Sequence, residues 1–190
     1  MNWKKEITSW GAILAVFAFL YFSGLLPVIQ GALQSVLLAT GLMKPSIEVP
    51  DLTDQKFDYR GQFTDFKGNT IDLQSYRGKT VFINLWASWC GPCRIANKHL
   101  VKIYPNYKNK NIVFLSISLD EKQADWISAV KKDKLNWTQL IDTKAWNSPV
   151  AAAWDVNSIP ATFLIDQEGN VVARNLMGAA LESGIDKLLK

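Results

Sequence analysis

The sequence predicts an α/β domain, in which a mixed central sheet is flanked by helices, preceded by an N-terminal transmembrane helix. No charged side chain occurs from residue 7 to residue 43, whereas the rest of the chain mixes apolar runs, turns and charges. After residue 58, apolar runs of strand length alternate with helical patterns, which is typical of layered α/β domains. The only two cysteines, Cys90 and Cys93, lie between a predicted buried strand and a predicted helix.

A chain of 190 residues has room for one globular core and an additional segment. We predict a cytoplasmic N-terminus at 1–9, a transmembrane anchor at 10–29, an apolar interfacial helix at 30–43, a tether at 44–58 and the globular domain at 59–190. The tether is predicted because this stretch is polar, contains Pro45 and Pro50, and shows no sustained hydrophobic period.

The anchor is predicted from its length and from the charges before it. A helix that crosses the ~30 Å hydrocarbon core needs about 20 apolar residues, and Trp10 to Ile29 supplies them. Lys4 and Lys5 favour a cytoplasmic N-terminus, so a single pass through the inner or plasma membrane places the domain on the extracytoplasmic (periplasmic) side. A cleaved signal peptide is the alternative, but such a peptide has an apolar core of only about 7 to 15 residues.

The second half of the uncharged segment is less apolar than the first. Pro27 predicts a break in the helix, and after it Gln30, Gln34 and Ser35 recur on one side of a helix. This pattern favours a helix that lies at the membrane interface. The alternative is a second span, which would form a hairpin with the first and return the domain to the cytoplasm.

The globular domain opens with a predicted β-hairpin. Apolar positions flank Lys67-Gly68-Asn69, and Gly and Asn permit the positive φ of a tight turn. The turn Arg77-Gly78-Lys79 then leads into Thr80 to Ala87, a mostly apolar run of the length expected for a buried central strand.

Helices and strands alternate through the rest of the domain. The predicted elements are a helix from Gly91 to about Tyr104, a strand at Ile112 to Leu119, a helix at Glu121 to Lys132, a strand at Thr138 to Ile141, a short helix at Pro149 to Trp154, strands at Ala161 to Asp166 and Val171 to Arg174, and a closing helix at Leu181 to Leu189. This order predicts a mixed sheet covered by helices.

Charge and cysteine content argue against two classes of function. Residues 45–190 carry 18 basic and 16 acidic side chains, a net charge of +2, which gives no electrostatic case for nucleic-acid binding. A structural zinc site needs about four Cys or His ligands, and the chain offers only Cys90, Cys93 and His99. We therefore predict no metal and no cofactor other than a redox-active disulfide.

The Cys-x-x-Cys pair is best explained by thiol-disulfide exchange. Exchange needs an accessible thiolate and a second thiol near enough to resolve the mixed disulfide. Cys90 is expected at a helix N-terminus, where free N–H groups and the helix dipole lower a thiol pKa. Cys93 is expected one turn further along and more buried. Cys90 is thus the predicted nucleophile and Cys93 the predicted resolving thiol.

The residues beside the cysteines complete the predicted site. Pro92, after Gly91, costs the helix little because N–H groups in the first turn have no intrahelical partner. Trp89 is predicted to border the site, whereas Trp86 is more simply explained as a core residue.

Two motifs resemble those of thioredoxin-like proteins. Trp86-Ala-Ser-Trp-Cys-Gly-Pro-Cys93 resembles the thioredoxin active site, and Ser158 to Gly169 resembles the cis-proline strand and following turn of that superfamily. With the hairpin, the Arg-Gly-Lys turn and the anchor, residues 57–190 are most similar to the TlpA/ResA-like branch. Its members are anchored, extracytoplasmic thiol-disulfide oxidoreductases, and several deliver reductant for cytochrome c maturation.

The resemblance implies a thioredoxin-like fold and a cis peptide between Ile159 and Pro160, where the Ile159 backbone can pair with an extended substrate segment. It implies protein substrates with disulfides or thiols and a membrane electron donor of the CcdA/DsbD type, while the anchor would contact lipid. Gly-Pro between the cysteines is shared with thioredoxin, whose potential is about −270 mV against about −120 mV for the oxidant DsbA. This similarity favours a reductase.

The sequence departs from the family pattern near the resolving cysteine. Related proteins place a carboxylate six residues before the first cysteine or three residues after the second, and these positions are Asn84 and Ala96 here. Lys98 stands where the helix usually has a kinking proline. Proton handling at Cys93 is therefore expected to use water, a substrate group or an acid elsewhere. His99 and Arg94 are expected on a solvated helix face.

Two rival functions share this fold. A peroxidase of peroxiredoxin type would need a Pro-x-x-x-Thr and Arg arrangement around its reactive cysteine, which is absent around Cys90. A copper-delivery protein would use two cysteines at wider spacing and a histidine on a distant loop, whereas His99 shares the predicted helix of Cys93. Thiol-disulfide exchange is the preferred interpretation.

Overall fold

The structure, a computed structural model, describes Trp10 and residues 55–190. The predicted cytoplasmic N-terminus, the transmembrane anchor apart from Trp10, the interfacial helix and most of the tether therefore lie outside the described residues. Within the described part of the chain, no helix is both long enough and apolar enough to cross a bilayer.

Seven strands form one mixed sheet. They are β1 (Gln62–Thr64), β2 (Thr70–Asp72), β3 (Val81–Trp86), β4 (Val113–Ser118), β5 (Thr138–Ile141), β6 (Ala161–Ile165) and β7 (Val171–Arg174). Their order across the sheet is β2-β1-β5-β4-β3-β6-β7. β3, β4 and β5 are parallel, while β6 runs antiparallel to β3 and the β1–β2 hairpin adds to β5. The predicted mixed sheet is confirmed.

Helices cover the sheet. They are α1 (Gly91–Ile103), α2 (Gln123–Asp133), α3 (Pro149–Ala153) and α4 (Gly178–Leu188), with short 3-10 helices at Leu73–Tyr76, Tyr104–Asn106 and Ala145–Asn147. Most bounds lie within two residues of the predicted ones. α4 begins three residues earlier than predicted, because Gly178 and Ala179 carry no apolar period that would signal a helix start.

The central strand β3 carries the active-site motif at its C-terminal end. All six of its residues are at most 1% exposed, as expected for a strand that is covered on both faces. Alternate side chains enter different cores: Phe82 and Trp86 pack in the same cluster as Cys93, whereas Ile83 and Leu85 pack with Phe57 on the opposite side. Trp86 is therefore a core residue, as predicted.

The domain begins earlier than the predicted boundary at residue 59. Phe57 is 6% exposed, its ring lies 4.6 Å from that of Trp154, and its N–H donates to the carbonyl of Gly169 at 2.8 Å. The N–H of Val171 donates to the carbonyl of Gln55, also at 2.8 Å. Residues 55–58 thus belong to the folded domain. The sequence did not indicate this because a single aromatic residue within a polar stretch creates no period.

Candidate active site

Cys90 and Cys93 lie where β3 passes into α1. Cys90 is the N-cap residue of α1, with φ −84° and ψ 103°, and its sulfur accepts a hydrogen bond from the N–H of Cys93 at 3.2 Å. The two cysteines are joined by a disulfide. The position at the helix N-terminus is the one that the sequence predicts, and it places the positive end of the helix dipole at the Cys90 sulfur.

The two sulfurs differ in how far solvent reaches them. In the disulfide form Cys90 retains 6% exposure and Cys93 is fully buried. Gly91 and Pro92 are exposed beside them, and the indole of Trp89 is 60% exposed. The predicted site residues around the nucleophile therefore share one surface, from which Cys90 is the reachable sulfur. The assignment of nucleophile and resolving thiol stays a prediction.

The start of β6 lies against the disulfide. The peptide between Ile159 and Pro160 is cis, as the resemblance implies, and the carbonyl oxygen of Ile159 is 3.8 Å from the Cys90 sulfur. The two residues are partly exposed. The structure thus brings Ile159, which is 69 residues away in sequence, to the Cys90 sulfur, and Pro160 follows it through the cis peptide.

A charged network holds the loop before Cys90. Asp120, which follows β4 and is 2% exposed, accepts hydrogen bonds from the Ser88 N–H at 2.9 Å, the Ser88 hydroxyl at 2.6 Å and the Ser118 hydroxyl at 2.6 Å. Such bonds to a carboxylate are stronger than neutral ones. Sequence analysis missed Asp120, and its position directly after a predicted buried strand is the only signal that could have suggested it.

Arg94 joins this network, which corrects the prediction of a solvated helix face. Its side chain is 24% exposed and forms a two-pronged ion pair with Asp133 at the end of α2. It also donates to the carbonyl of Ser88 at 3.1 Å. The prediction was wrong because helical spacing shows which face a residue occupies, but not what a second helix brings to that face.

A neutral network lies on the sheet side of α1, one turn beyond Cys93. The Asn84 side-chain amide donates to Asn97 Oδ1 at 3.0 Å and to the Ser116 hydroxyl at 3.2 Å, and the Trp137 indole N–H donates to the same hydroxyl at 2.8 Å. Asn84 and Asn97 are at most 1% exposed. The neutral amide of Asn84 thus occupies one of the two positions where the family resemblance leads us to expect an acid.

His99 is less exposed than predicted. Its side chain is 33% exposed, and its Nε2 lies 3.4 Å from Glu182 Oε1 on α4. That distance allows an ion pair when the imidazole is protonated, but the alignment is not that of a hydrogen bond, and Nε2 is buried without a hydrogen-bonding partner among the described residues. Within residues 55–190, no group of three or more metal-ligating side chains includes it.

A cleft of about 240 Å³ adjoins the exposed face of Trp89. Trp89 and Trp146 lie on its walls, and Asp120, Glu121 and Asp125 contribute carboxylates to its lining. Trp146 is 44% exposed. The surface beside Trp89 therefore combines flat apolar area with three carboxylates and the ammonium group of Lys122.

The comparisons with known proteins agree with this geometry. A model of the AhpC/TSA family matches residues 45–174. The thiol-disulfide oxidoreductase ResA of Bacillus cereus is 32% identical over 111 residues, which are 58% of this chain and 62% of that protein. ResA of Bacillus thuringiensis subsp. konkukian is 30% identical over 127 residues, which are 67% of this chain and 71% of that protein.

Solved structures show the same likeness. A thiol-disulfide oxidoreductase from Bacteroides fragilis has a TM-score of 0.66 and 33% identity, covering 71% of this chain and 100% of its own. The thioredoxin domain of a thiol-disulfide oxidoreductase from Bacteroides vulgatus has a TM-score of 0.65 and 27% identity, and the match covers 72% of this chain and 99% of that domain. The predicted resemblance, the thioredoxin-like fold and the predicted class of enzyme are thereby confirmed.

Proposed function

Because the chain belongs to the AhpC/TSA family and, like its relatives, is a thiol-disulfide oxidoreductase, we propose that it reduces protein disulfides outside the cytoplasm. Its N-terminal segment anchors it in the membrane, and a membrane thiol-disulfide carrier of the CcdA/DsbD type returns electrons to it. Its substrates are apocytochromes or cytochrome-assembly proteins, or else a broader set of envelope proteins.

One observation carries the proposal: Cys90 caps α1 while its sulfur faces the carbonyl of Ile159. An extended substrate segment that pairs with the Ile159 backbone would bring its own disulfide to the one reachable sulfur. The Cys90 thiolate then attacks a substrate sulfur and releases the other as a thiolate. Cys93, after losing its proton, attacks the Cys90 sulfur, so the enzyme dithiol is oxidised to a disulfide and the substrate disulfide is reduced to two thiols.

Two further features support the compartment and the direction. The uncharged segment from residue 7 to residue 43, with Lys4 and Lys5 before it, favours an anchor with the domain outside. Gly91 and Pro92 between the cysteines are the pair found in thioredoxin, a reductant. The relatives named ResA also support the similarity to the TlpA/ResA-like branch, several members of which deliver reductant for cytochrome c maturation.

The decisive experiment uses Cys93→Ser in the full-length chain. Serine keeps the size of cysteine but cannot attack, so the mixed disulfide between Cys90 and a substrate should persist after acid quenching. Captured apocytochrome or cytochrome-assembly proteins would support the maturation role, and a broad envelope set would support a general reductant. Cys90→Ser is the matched control, and adducts no more abundant than in this control would contradict the proposal.

The compartment and the direction have their own tests. In spheroplasts that have been treated with dithiothreitol to release any mixed disulfide and then washed, a membrane-impermeant maleimide should label Cys90 in the Cys93→Ser protein without detergent, and labelling that requires detergent would place the domain in the cytoplasm. A redox titration of Cys90 and Cys93 should give a potential nearer about −270 mV than about −120 mV, the values of thioredoxin and DsbA. The opposite result would indicate an oxidant.

A further inference from the structure

A small cavity lies between α1, the sheet and α4, close to the resolving cysteine. Its volume is about 20 Å³, which is room for one water molecule. Asn84 of β3, Ala96 and His99 of α1, and Thr162 of β6 contribute to its lining. Cys93 does not itself line the cavity, but it precedes Ala96 by one turn on the same helix, and side chains three residues apart are neighbours on a helix surface, with Cβ atoms about 5 to 6 Å apart.

Two residues of the cavity lining, Asn84 and His99, each carry a buried polar atom without a hydrogen-bonding partner among the described residues. Asn84 is 1% exposed. Its side-chain N–H groups donate to Asn97 and Ser116, but its Oδ1 accepts no hydrogen bond from any described residue. The Nε2 of His99 is likewise buried and unpartnered among residues 55–190. Because an unpaired buried polar atom is costly, a water that donates to both atoms would satisfy them together.

We propose that His99 accepts the proton of Cys93 through a water molecule held in this cavity. The inference depends on the exchange chemistry alone, and not on the proposed compartment or partners. In the mixed disulfide, Cys93 gives its thiol proton to the water, which passes one of its own to Nε2 of His99. The Cys93 thiolate then attacks the Cys90 sulfur, the bond from Cys90 to the substrate sulfur breaks, and the substrate leaves as a thiolate.

The groups around His99 suit this role. Glu182 on α4, 3.4 Å from Nε2, would stabilise the imidazolium that forms. Tyr107 is an unsuitable acceptor, because burial and its hydrogen bond to Asp186 raise its pKa to about 12. The remaining charged neighbours on α1, Lys98 and Lys102, are exposed.

The test separates the two steps with a small aromatic disulfide, 5,5′-dithiobis(2-nitrobenzoate). The reduced protein releases one thionitrobenzoate when Cys90 attacks and a second when Cys93 resolves the adduct. His99→Gln should leave the first release unchanged and slow the second at least about tenfold near neutral pH, since general-base catalysis contributes about 10² to 10⁴ in rate. Lys98→Gln, on the same helix but outside the cavity, is the matched control and should change neither release.

Two further measurements separate proton transfer from a change in structure. Adding Ala96→Glu to His99→Gln places a carboxylate in the cavity and should restore the second release. Because His99 is the only histidine, its ¹⁵N signals can be followed without ambiguity in the wild-type protein, and their chemical shifts should change when the disulfide is reduced. A second release in His99→Gln that matches wild type from about pH 5 to 8 would overturn the proposal. If the wild-type protein gave no first release, that result would instead contradict the exchange chemistry itself.

Discussion

The active-site motif lies between two polar networks of opposite character. On the side that leads into Cys90, the Asp120 carboxylate accepts hydrogen bonds from Ser88, and Arg94 donates to the Ser88 carbonyl. Asp133 in turn pairs with Arg94. On the side of Cys93, the groups that meet are the amides, hydroxyl and indole of Asn84, Asn97, Ser116 and Trp137. The charged network fixes the position of the loop, whereas the neutral network fills the interior without placing a charge there.

The difference agrees with the predicted roles of the two cysteines, in which Cys90 is the nucleophile and Cys93 the resolving thiol. A carboxylate beneath Cys93 would oppose formation of the thiolate by like-charge repulsion, although it could also accept the proton. Neutral amides remove both effects. The interior can therefore hold the Cys93 thiolate without a neighbouring negative charge, but the proton must travel further, which is the requirement that His99 would meet.

The largest expected effect comes from removing the centre of the charged network. Asp120→Ala should lower the free energy of unfolding by about 3 kcal/mol, because three donors near a buried position lose their charged acceptor. Chemical denaturation at neutral pH measures this. Ser88→Ala removes the hydroxyl donor but keeps the Ser88 N–H bond, so it should cost about 1 kcal/mol. Equal losses in both variants would show that Asp120 does not organise the loop.

Placing a charge in the neutral network should make stability depend on pH. In Asn84→Asp, burial raises the pKa of the new carboxyl in the folded state above the ordinary ~3.9 of the unfolded state. Relative to wild type, the variant should then be most stable below pH ~3.9 and lose about 1.4 kcal/mol for each unit by which the folded pKa is raised, as the pH increases through that interval.

The matched control for this change is Asn84→Ala, which disrupts the same network without a titrating group. Its free energy of unfolding, relative to wild type, should not vary between acidic and neutral pH. The Asp variant should also change the rate of the second thionitrobenzoate release and leave the first release nearly unchanged. A pH-independent loss of stability in Asn84→Asp would mean that the site is more solvated than its 1% exposure indicates.

The ion pair between α1 and α2 should contribute a smaller amount. Arg94 is 24% exposed and Asp133 7% exposed, so the pair is screened less than a surface pair, but it is not fully buried. A double-mutant cycle with Arg94→Gln and Asp133→Asn should give a coupling energy of about 1 kcal/mol. A coupling near zero would leave the Ser88 carbonyl as the only significant partner of Arg94.

Both networks join residues that are distant in the sequence, and this explains why the sequence predicted the strands, the helices and the cysteine motif but not the networks themselves. Strands, helices and the Cys90–Cys93 motif follow local periods and turn residues, and the position of Pro160 came from a resemblance. Asp120 and Ser88 are 32 residues apart, and Asn84 and Ser116 are 32 residues apart as well. Such contacts depend on which strands become neighbours, which a periodic pattern does not show. The mispredicted environments of Arg94 and His99 have the same cause.

The exposed ion pair between Arg60 and Asp58 should have the smallest effect of the four predictions, and it serves as a reference for the other three. Arg60 reaches both oxygens of Asp58, with contacts of 2.6 to 3.0 Å, and its own N–H also donates to that carboxylate at 2.9 Å. These bonds lower the pKa of Asp58 to about 2. The guanidinium is nevertheless 82% exposed, so water and salt screen the pair.

Replacing that guanidinium tests whether burial, and not bond geometry, sets the size of these effects. Arg60→Gln should raise the pKa of Asp58 toward its ordinary ~3.9, but not fully, because the backbone N–H of residue 60 remains. Since the folded pKa is depressed, the pair stabilises the protein above pH ~3.9, and this contribution is lost as the pH falls through about 2. Carboxyl ¹³C titration measures the pKa of Asp58. Chemical denaturation at neutral pH should show that Arg60→Gln lowers the free energy of unfolding by less than Arg94→Gln does, and by still less when salt is added. A loss as large as that of Arg94→Gln would show that two-pronged geometry outweighs burial, and the contrast between the two sides of the motif would then need another explanation.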